Sequence, residues 1–222
     1  MSYWIFILPA LLLATFATLR TQSVFRRYSR VRARSGLTGA EAAEALLRAQ
    51  GVCDVRIERW GGFLTDHFDP ARNVLRLSPG VHDSNSLAAV GVACHEAGHA
   101  LQRASNYAPL SLRTQLVPVT QIGSQLAFPV ILAGLMLGRP GLFHLGLLLF
   151  AAVVVFTLIT LPVEWNASSR AKRLMVECGI VTPAEQPHAA AVLDAAFLTY
   201  VASAVSSIMT LLYYLSLGSR RR

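Results

Sequence analysis

The chain has 222 residues, of which 54% are hydrophobic and only 14% charged, and its formal net charge is +8. That balance excludes an ordinary soluble domain, in which about a quarter of residues are charged, and favours a membrane protein. The arginines sit beside apolar runs with no interleaved exposed aromatics, so the charge reads as membrane orientation and not as nucleic-acid binding. Cys53, Cys94 and Cys178 are odd in number and lack CxxC spacing, so neither a disulfide framework nor a four-cysteine zinc site is indicated; they read as reduced, small, buried residues.

Residues 3–19 are uncharged and just long enough to cross a hydrocarbon core, with Trp4 as an interfacial anchor. Because Arg20, Arg26, Arg27, Arg30, Arg32 and Arg34 follow this run, residues 1–20 read as a transmembrane anchor and not as a cleaved signal peptide. The arginines make 21–37 a basic juxtamembrane linker, held on the cytoplasmic side with the N-terminus outside.

Residues 38–110 turn globular. Thr38 and Glu41 form a capping-box pattern ahead of an Ala/Glu/Leu-rich helix that Gly51 closes. Alternation from Cys53 to Glu58 predicts a half-buried strand, Gly61-Gly62 a turn, residues 63–67 a second strand, and Asn73 to Leu77 a third before the break at Ser78-Pro79-Gly80. These elements predict a short antiparallel sheet. A strand just upstream of a protease metal helix can pair its edge with an extended substrate, which makes Asn73, Val74, Leu75, Arg76 and Leu77 the candidate substrate-binding segment.

The chemistry centres on His95-Glu96-Ala97-Gly98-His99, set in an apolar helix-forming stretch. On an α-helix the two histidines share one face, where two imidazoles converge on one Zn²⁺. Glu96 lies about 100° round from His95, so its carboxylate reaches water at the metal and not the metal itself. Burying these groups beside so many apolar neighbours is costly without a metal or hydrogen bonds.

Two apolar stretches follow at 118–138 and 142–163, separated by Arg139-Pro140-Gly141, and read as a transmembrane hairpin spanning 118–163. His144, beside the outer turn, reads as a packing or interfacial residue. The hairpin returns the chain to the side it left, where 164–180 predicts a polar juxtamembrane helix with Arg170, Lys172 and Arg173 on the cytoplasmic side and Gly179 as its cap. Glu164 then shares a membrane face with His95 and His99 and is the favoured third ligand. Asp66, Asp69, Asp83, Glu177, Glu185 and Asp194 compete for that role. Thr182-Pro183-Ala184-Glu185 starts a last helix over 183–217, apolar enough to span from 195 onwards, although Arg220-Arg221-Arg222 would prefer the cytoplasm. His188 and Asp194 precede that span on the inner side. Asp194 and Tyr200 are candidates for groups that orient the ligands or, for Tyr200, stabilise an oxyanion.

The segments Leu64-Thr65-Asp66-His67-Phe68-Asp69-Pro70, Asn73-Val74-Leu75-Arg76-Leu77-Ser78, Ser86 through Ala100 with the zinc pentapeptide, Pro162-Val163-Glu164-Trp165-Asn166-Ala167-Ser168 and Leu198-Thr199-Tyr200-Val201-Ala202 resemble the YugP-type neutral zinc metallopeptidases of bacterial membranes. The resemblance covers most of the chain. It implies a multi-pass membrane protein with a zinc-dependent peptidase site and metal ligands at His95, His99 and Glu164. A more distant likeness to HtpX-type membrane proteases rests on the same pentapeptide and the later Glu-x-x-Ala, but Ser168 stands where those often carry an aspartate. FtsH-type proteases share the pentapeptide too, yet this chain has no Walker-type phosphate loop, so proteolysis would not need ATP.

The expected architecture is an α-helical integral membrane protein with a small α+β, zincin-like region made of a short antiparallel sheet and the His-Glu-x-x-His helix. The expected activity is peptide hydrolysis with Zn²⁺ as cofactor, Glu96 as general base, a peptide or protein as substrate and the lipid bilayer as partner. The expected location is the inner cell membrane, with the site on the cytoplasmic face. The alternatives are a non-catalytic zinc-binding scaffold, which would be closed by a fourth protein ligand, and a zinc sensor or transporter, which would carry ionisable residues through its spans.

Overall fold

The structure is a computed structural model and describes residues 3–62 and 65–219. Among the described residues, seven helices and three strands run in the order α1 (Tyr3–Tyr28), α2 (Gly39–Ala49), β1 (Arg56–Arg59), β2 (His67–Asp69), β3 (Val74–Leu77), α3 (Pro79–His82), α4 (Leu87–Ala104), α5 (Ala108–Met136), α6 (Pro140–Glu177) and α7 (Gln186–Ser219). The chain forms two compact units. One comprises Met1–Thr18, Pro109–Pro162 and Leu198–Arg222, the other Leu19–Ala108 and Val163–Phe197.

The first unit is built from long apolar helices. Four helices, α1, α5, α6 and most of α7, are long and apolar enough to cross a membrane. Small residues set the packing of α5 on α6: a Cβ at Gly134 would stand 2.4 Å from the Phe143 nitrogen, and one at Gly146 would stand 2.6 Å from the Ile131 nitrogen. Such close backbone approach is how helices associate where no water drives them together.

The second unit has a conventional buried core. Ala42, Ala43, Leu46 and Leu47 of α2 pack with Leu75 and Leu77 of β3, Val90, Ala93 and Ala97 of α4, and Leu174 and Met175 of α6. Local signals explain its elements. Thr38 caps α2 by accepting from Glu41 N–H while the Glu41 carboxylate accepts from Thr38 N–H, the reciprocal capping box, and Gly51 adopts φ +72° just past the helix. Ser86 caps α4 by accepting from Ala89 N–H.

Several expectations need correction. The sheet is mixed and not antiparallel: its order is β1-β3-β2, with β1 parallel to β3 and β2 antiparallel to it. The chain leaves β1, crosses to the far side of β3 to make β2, and returns through the turn that starts at Asp69, so β3 enters in the same direction as β1. Alternation along a strand reveals its buried face and says nothing of its partner's direction. Phe63 and Leu64 of the expected second strand lie outside the described residues, as do the three terminal arginines.

The expected linker 21–37 is helical as far as Tyr28. It is then held by its backbone, with Ala33 N–H donating to Asn85 O, Leu87 N–H to Val31 O and Arg34 N–H to the Glu185 carboxylate. Ser78-Pro79-Gly80 starts the short helix α3, because proline fits the first helical turn. The expected separate helix at 164–180 is continuous with the preceding span, and Pro162 lies inside α6. Of the cysteines expected to be buried, Cys94 is, Cys178 is half-buried and Cys53 is exposed. Burial pushes the Cys94 thiol up to about 12, with a smaller contribution from Cys178.

Candidate metal centre

Helix α4 carries His95 and His99 on one face, and the same face carries Gly98, whose position lets α6 come close. A Cβ at Gly98 would stand 2.7 Å from the Ala167 carbonyl oxygen, so only glycine permits this approach. The contact places Glu164, one turn before Ala167, opposite both imidazoles. His95 Nε2 lies 3.2 Å and His99 Nε2 3.5 Å from Glu164 Oε2, and the donor atoms of all three residues fall within 4.8 Å of one another.

These separations fit a zinc ion. A tetrahedron with bonds of about 2.0–2.1 Å has ligand–ligand edges of about 3.3–3.4 Å, close to both carboxylate–imidazole distances. The two rings stand nearly perpendicular, with centroids 4.8 Å apart, so their Nε2 atoms converge without stacking. Each ring is held from behind. His95 Nδ1 lies 3.1 Å from Ser168 Oγ, and His99 Nδ1 lies 2.9 Å from Gln102 Oε1. Glu164 is 1% exposed, a depth at which a carboxylate requires a cation or several donors. Burial alone would keep His99 neutral, but the Glu164 hydrogen bond and the charges of Glu96 and Glu164 outweigh it and raise the imidazole's pKa. The pocket therefore attracts positive charge.

Glu96 is half-buried and does not join the three-residue cluster. Its Oε2 accepts from Phe68 N–H at 3.1 Å, which holds the carboxylate at the outer edge of β2. Cys94 lies in the core on another face of α4.

The candidate substrate segment is not placed as expected. β3 is the central strand, paired with β1 through Arg56↔Val74 to Arg59↔Leu77 and with β2 through His67↔Arg76 to Asp69↔Val74, so it has no free edge. Val74, Leu75 and Leu77 are wholly buried, and the most apolar of the three strands takes the centre because that position buries it on both sides. Arg76 lies over the Trp60 ring and beside Asp69, while Asn73 bonds Asp54 and Arg103. The edge that faces the site belongs to β2.

Asp194 and Tyr200 were expected to orient the ligands; the side chains in contact with the Nδ1 atoms of His95 and His99 are Ser168 and Gln102. Asp194 pairs with Lys172, on the exposed side of α6. Tyr200 lies on α7 in the other compact unit. Gln102 was not singled out in the sequence; its place one turn beyond His99 on the same helical face is the signal that could have found it. Ser168 was visible in sequence only as the residue standing where an aspartate often stands. His188 stacks on Tyr28, and His144 Nδ1 bonds Pro140 O. Neither approaches the cluster as a ligand.

Comparison with known proteins identifies the family. Residues 3–219 match the family described as "Putative neutral zinc metallopeptidase". A Bacillus subtilis (strain 168) protein named "Putative membrane protease YugP" is 46% identical over 207 residues, covering 93% of this chain and 92% of that one. No solved structure matches the chain. A family match over nearly the whole length, and a relative at that identity, establish that the chain belongs to this neutral zinc metallopeptidase family.

Proposed function

We propose that the protein is a zinc-dependent, ATP-independent endopeptidase, anchored in the cell membrane by several spans, with its site on the cytoplasmic face. The observation that carries the reading is the convergence of His95, His99 and Glu164 within 4.8 Å, with Glu96 beside them at the edge of a strand. Three protein donors leave one tetrahedral position open, the pattern of catalytic and not structural zinc. The orientation rests on the arginines that follow α1 and on Arg170, Lys172 and Arg173, which by the positive-inside rule stay cytoplasmic.

Zinc held by these residues would lower the pKa of water and polarise the scissile carbonyl. His95 and His99 present Nε2 because their Nδ1 atoms are engaged by Ser168 and Gln102. Glu164 would contribute a carboxylate oxygen and partly offset the metal's charge. Glu96 takes a proton from the attacking water and returns it to the leaving amine. Phe68 N–H, by bonding one Glu96 oxygen, fixes the carboxylate while leaving its second oxygen for that transfer. An extended substrate would lie along the outer edge of β2 and donate to the Phe68 carbonyl, since the Phe68 N–H is taken by Glu96 and the inner edge of β2 by β3.

The test is zinc content and casein cleavage by the detergent-purified full chain. Wild type is expected to hold one zinc and cleave. Glu96→Gln is expected to keep zinc and lose about 10²–10⁴-fold in rate, the usual contribution of a general base. Glu164→Ala is expected to lose zinc. Cleavage undiminished in Glu96→Gln would remove the general-base assignment, and full zinc affinity in Glu164→Ala would remove the third ligand.

A further inference from the structure

The contacts behind His99 extend past the imidazole into α6. Gln102 is wholly buried, and its side chain makes three hydrogen bonds. Its Nε2 donates to the Val163 carbonyl at 2.8 Å and to Asn166 Oδ1 at 3.1 Å, while Oε1 faces His99 Nδ1 at 2.9 Å. One member of this set has no freedom. A backbone carbonyl can only accept, so the NH₂ end of Gln102 must point at Val163, and its oxygen must then point at His99. An amide oxygen also only accepts, so His99 Nδ1 must carry a proton, which leaves Nε2, on the Glu164 side, as the ring atom a metal would take. Asn166 is fixed in the same way, because its Oδ1 also accepts from Arg170 Nε at 2.9 Å.

The two acceptors on α6 fall at telling positions. Val163 is the residue before Glu164 and Asn166 is two after it, so the amide grips the chain on both sides of the third carboxylate. On α4, positions 95, 98, 99 and 102 form one helical face, and all four meet α6: His95 at Ser168 and Glu164, Gly98 at Ala167, His99 at Glu164, and Gln102 at Val163 and Asn166. Gly98 sets how closely the helices approach, but a glycine contact does not prevent sliding. Directed hydrogen bonds do.

We propose that Gln102 is a positioning residue that locks the register of the Glu164-bearing turn of α6 on α4, and through the same amide fixes the tautomer of His99. The proposal rests on the metal reading above. It predicts that the amide contributes to metal affinity through both ends: one end orients a ligand ring, and the other keeps the third ligand within reach. Loss of a group that orients a metal-bound histidine ordinarily costs about 10–100-fold in metal affinity.

The experiment measures Zn²⁺ affinity by chelator competition, and the Co²⁺ absorption spectrum, on the full chain in detergent. Four proteins are compared: wild type, Gln102→Met, Asn166→Ala and the double variant. Gln102→Met keeps volume and removes every hydrogen bond, and is expected to bind Zn²⁺ about 10–100-fold more weakly with an altered Co²⁺ band. Asn166→Ala leaves the His99 contact intact and is expected to lose only several-fold. If both act through one clamp, the double variant binds no more weakly than Gln102→Met alone.

Zn²⁺ affinity and a Co²⁺ spectrum unchanged in Gln102→Met would overturn the proposal, even if the metal-free protein melted earlier, because the amide would then be a satisfied core group. Losses that multiply in the double variant would overturn the shared clamp. A wild type that binds no Zn²⁺ would remove the metal reading itself, an outcome distinguishable because it requires no variant.

Discussion

The two units of this chain solve opposite problems with the same residue types. In the unit around the metal cluster, Leu46, Leu75, Leu77 and Leu87 are fully enclosed. In the other, Phe16, Phe128 and Leu148 are more than half exposed, while Ala10, Ala127 and Ala204 fill the interior. Large apolar side chains point inwards when water is the solvent, because their removal from it drives folding. They point outwards when the solvent is lipid, and small residues then take the interior because close backbone approach is the available attraction. A hydrophobic fraction of 54% is therefore an average over two regions with inverted rules.

The contrast can be broken by substitutions whose cost depends on which rule applies. The largest effect is expected inside the second unit. Leu75 is wholly buried in the central strand, and Leu75→Ala should cost about 2–5 kcal/mol, seen as a fall in melting temperature. Next is Val155→Arg, on the exposed face of α6 near the middle of its apolar run. A charge at the centre of a spanning helix costs about 2.5–3.5 kcal/mol on insertion scales, read as reduced membrane integration. The same change at exposed Ala49 in α2 should stay within about 0.5 kcal/mol. Equal tolerance of arginine at 155 and 49 would mean that α6 does not face lipid.

A smaller effect is expected at Gly98, where the added methyl of Gly98→Ala meets the Ala167 backbone. Overpacking of this kind costs about 1–3 kcal/mol. Because the collision separates the helices that hold the donors, zinc affinity should fall along with stability. Gly141 is the control: a Cβ there meets nothing within 4 Å, and Gly141→Ala should be silent in both assays.

What could be read before the structure divides along the range of the interaction. The α2 capping box, the caps at Gly51 and Gly179, and the helical face shared by His95 and His99 depend on residues a few positions apart, and the structure contains each of them. Four helices long and apolar enough to cross a membrane were legible, because length and apolarity are both properties of the sequence. Glu164 came from topology, since a hairpin returns the chain to its starting side. The pairing of β1 with β3 and the loss of a free edge on β3 were not legible, because strand order is decided by contacts between distant segments. Gln102 and Ser168 were missed for a related reason: amides and hydroxyls are common on helices, and only the approach of α6 gives these two a partner.

The smallest effect, and the one that tests how α7 is joined to the rest of its unit, lies at Glu185. Burial opposes ionisation of this carboxylate. Hydrogen bonds from Thr182 N–H and Oγ1 and from Arg34 N–H outweigh that, with the Arg34 charge adding to them, and its pKa is held below the ordinary range. A carboxylate with a depressed folded-state pKa contributes stability that is fully present above its unfolded pKa, about 4.3, and is lost as pH falls through the lower folded value. Glu185→Gln removes the charge at every pH while keeping an acceptor. Wild type should therefore melt higher than the variant at neutral pH, and the gap should close as pH drops below about 4. A gap that is constant across this range would mean that the shape of the capping turn, and not the carboxylate's charge, ties the segment after α1 to the start of α7.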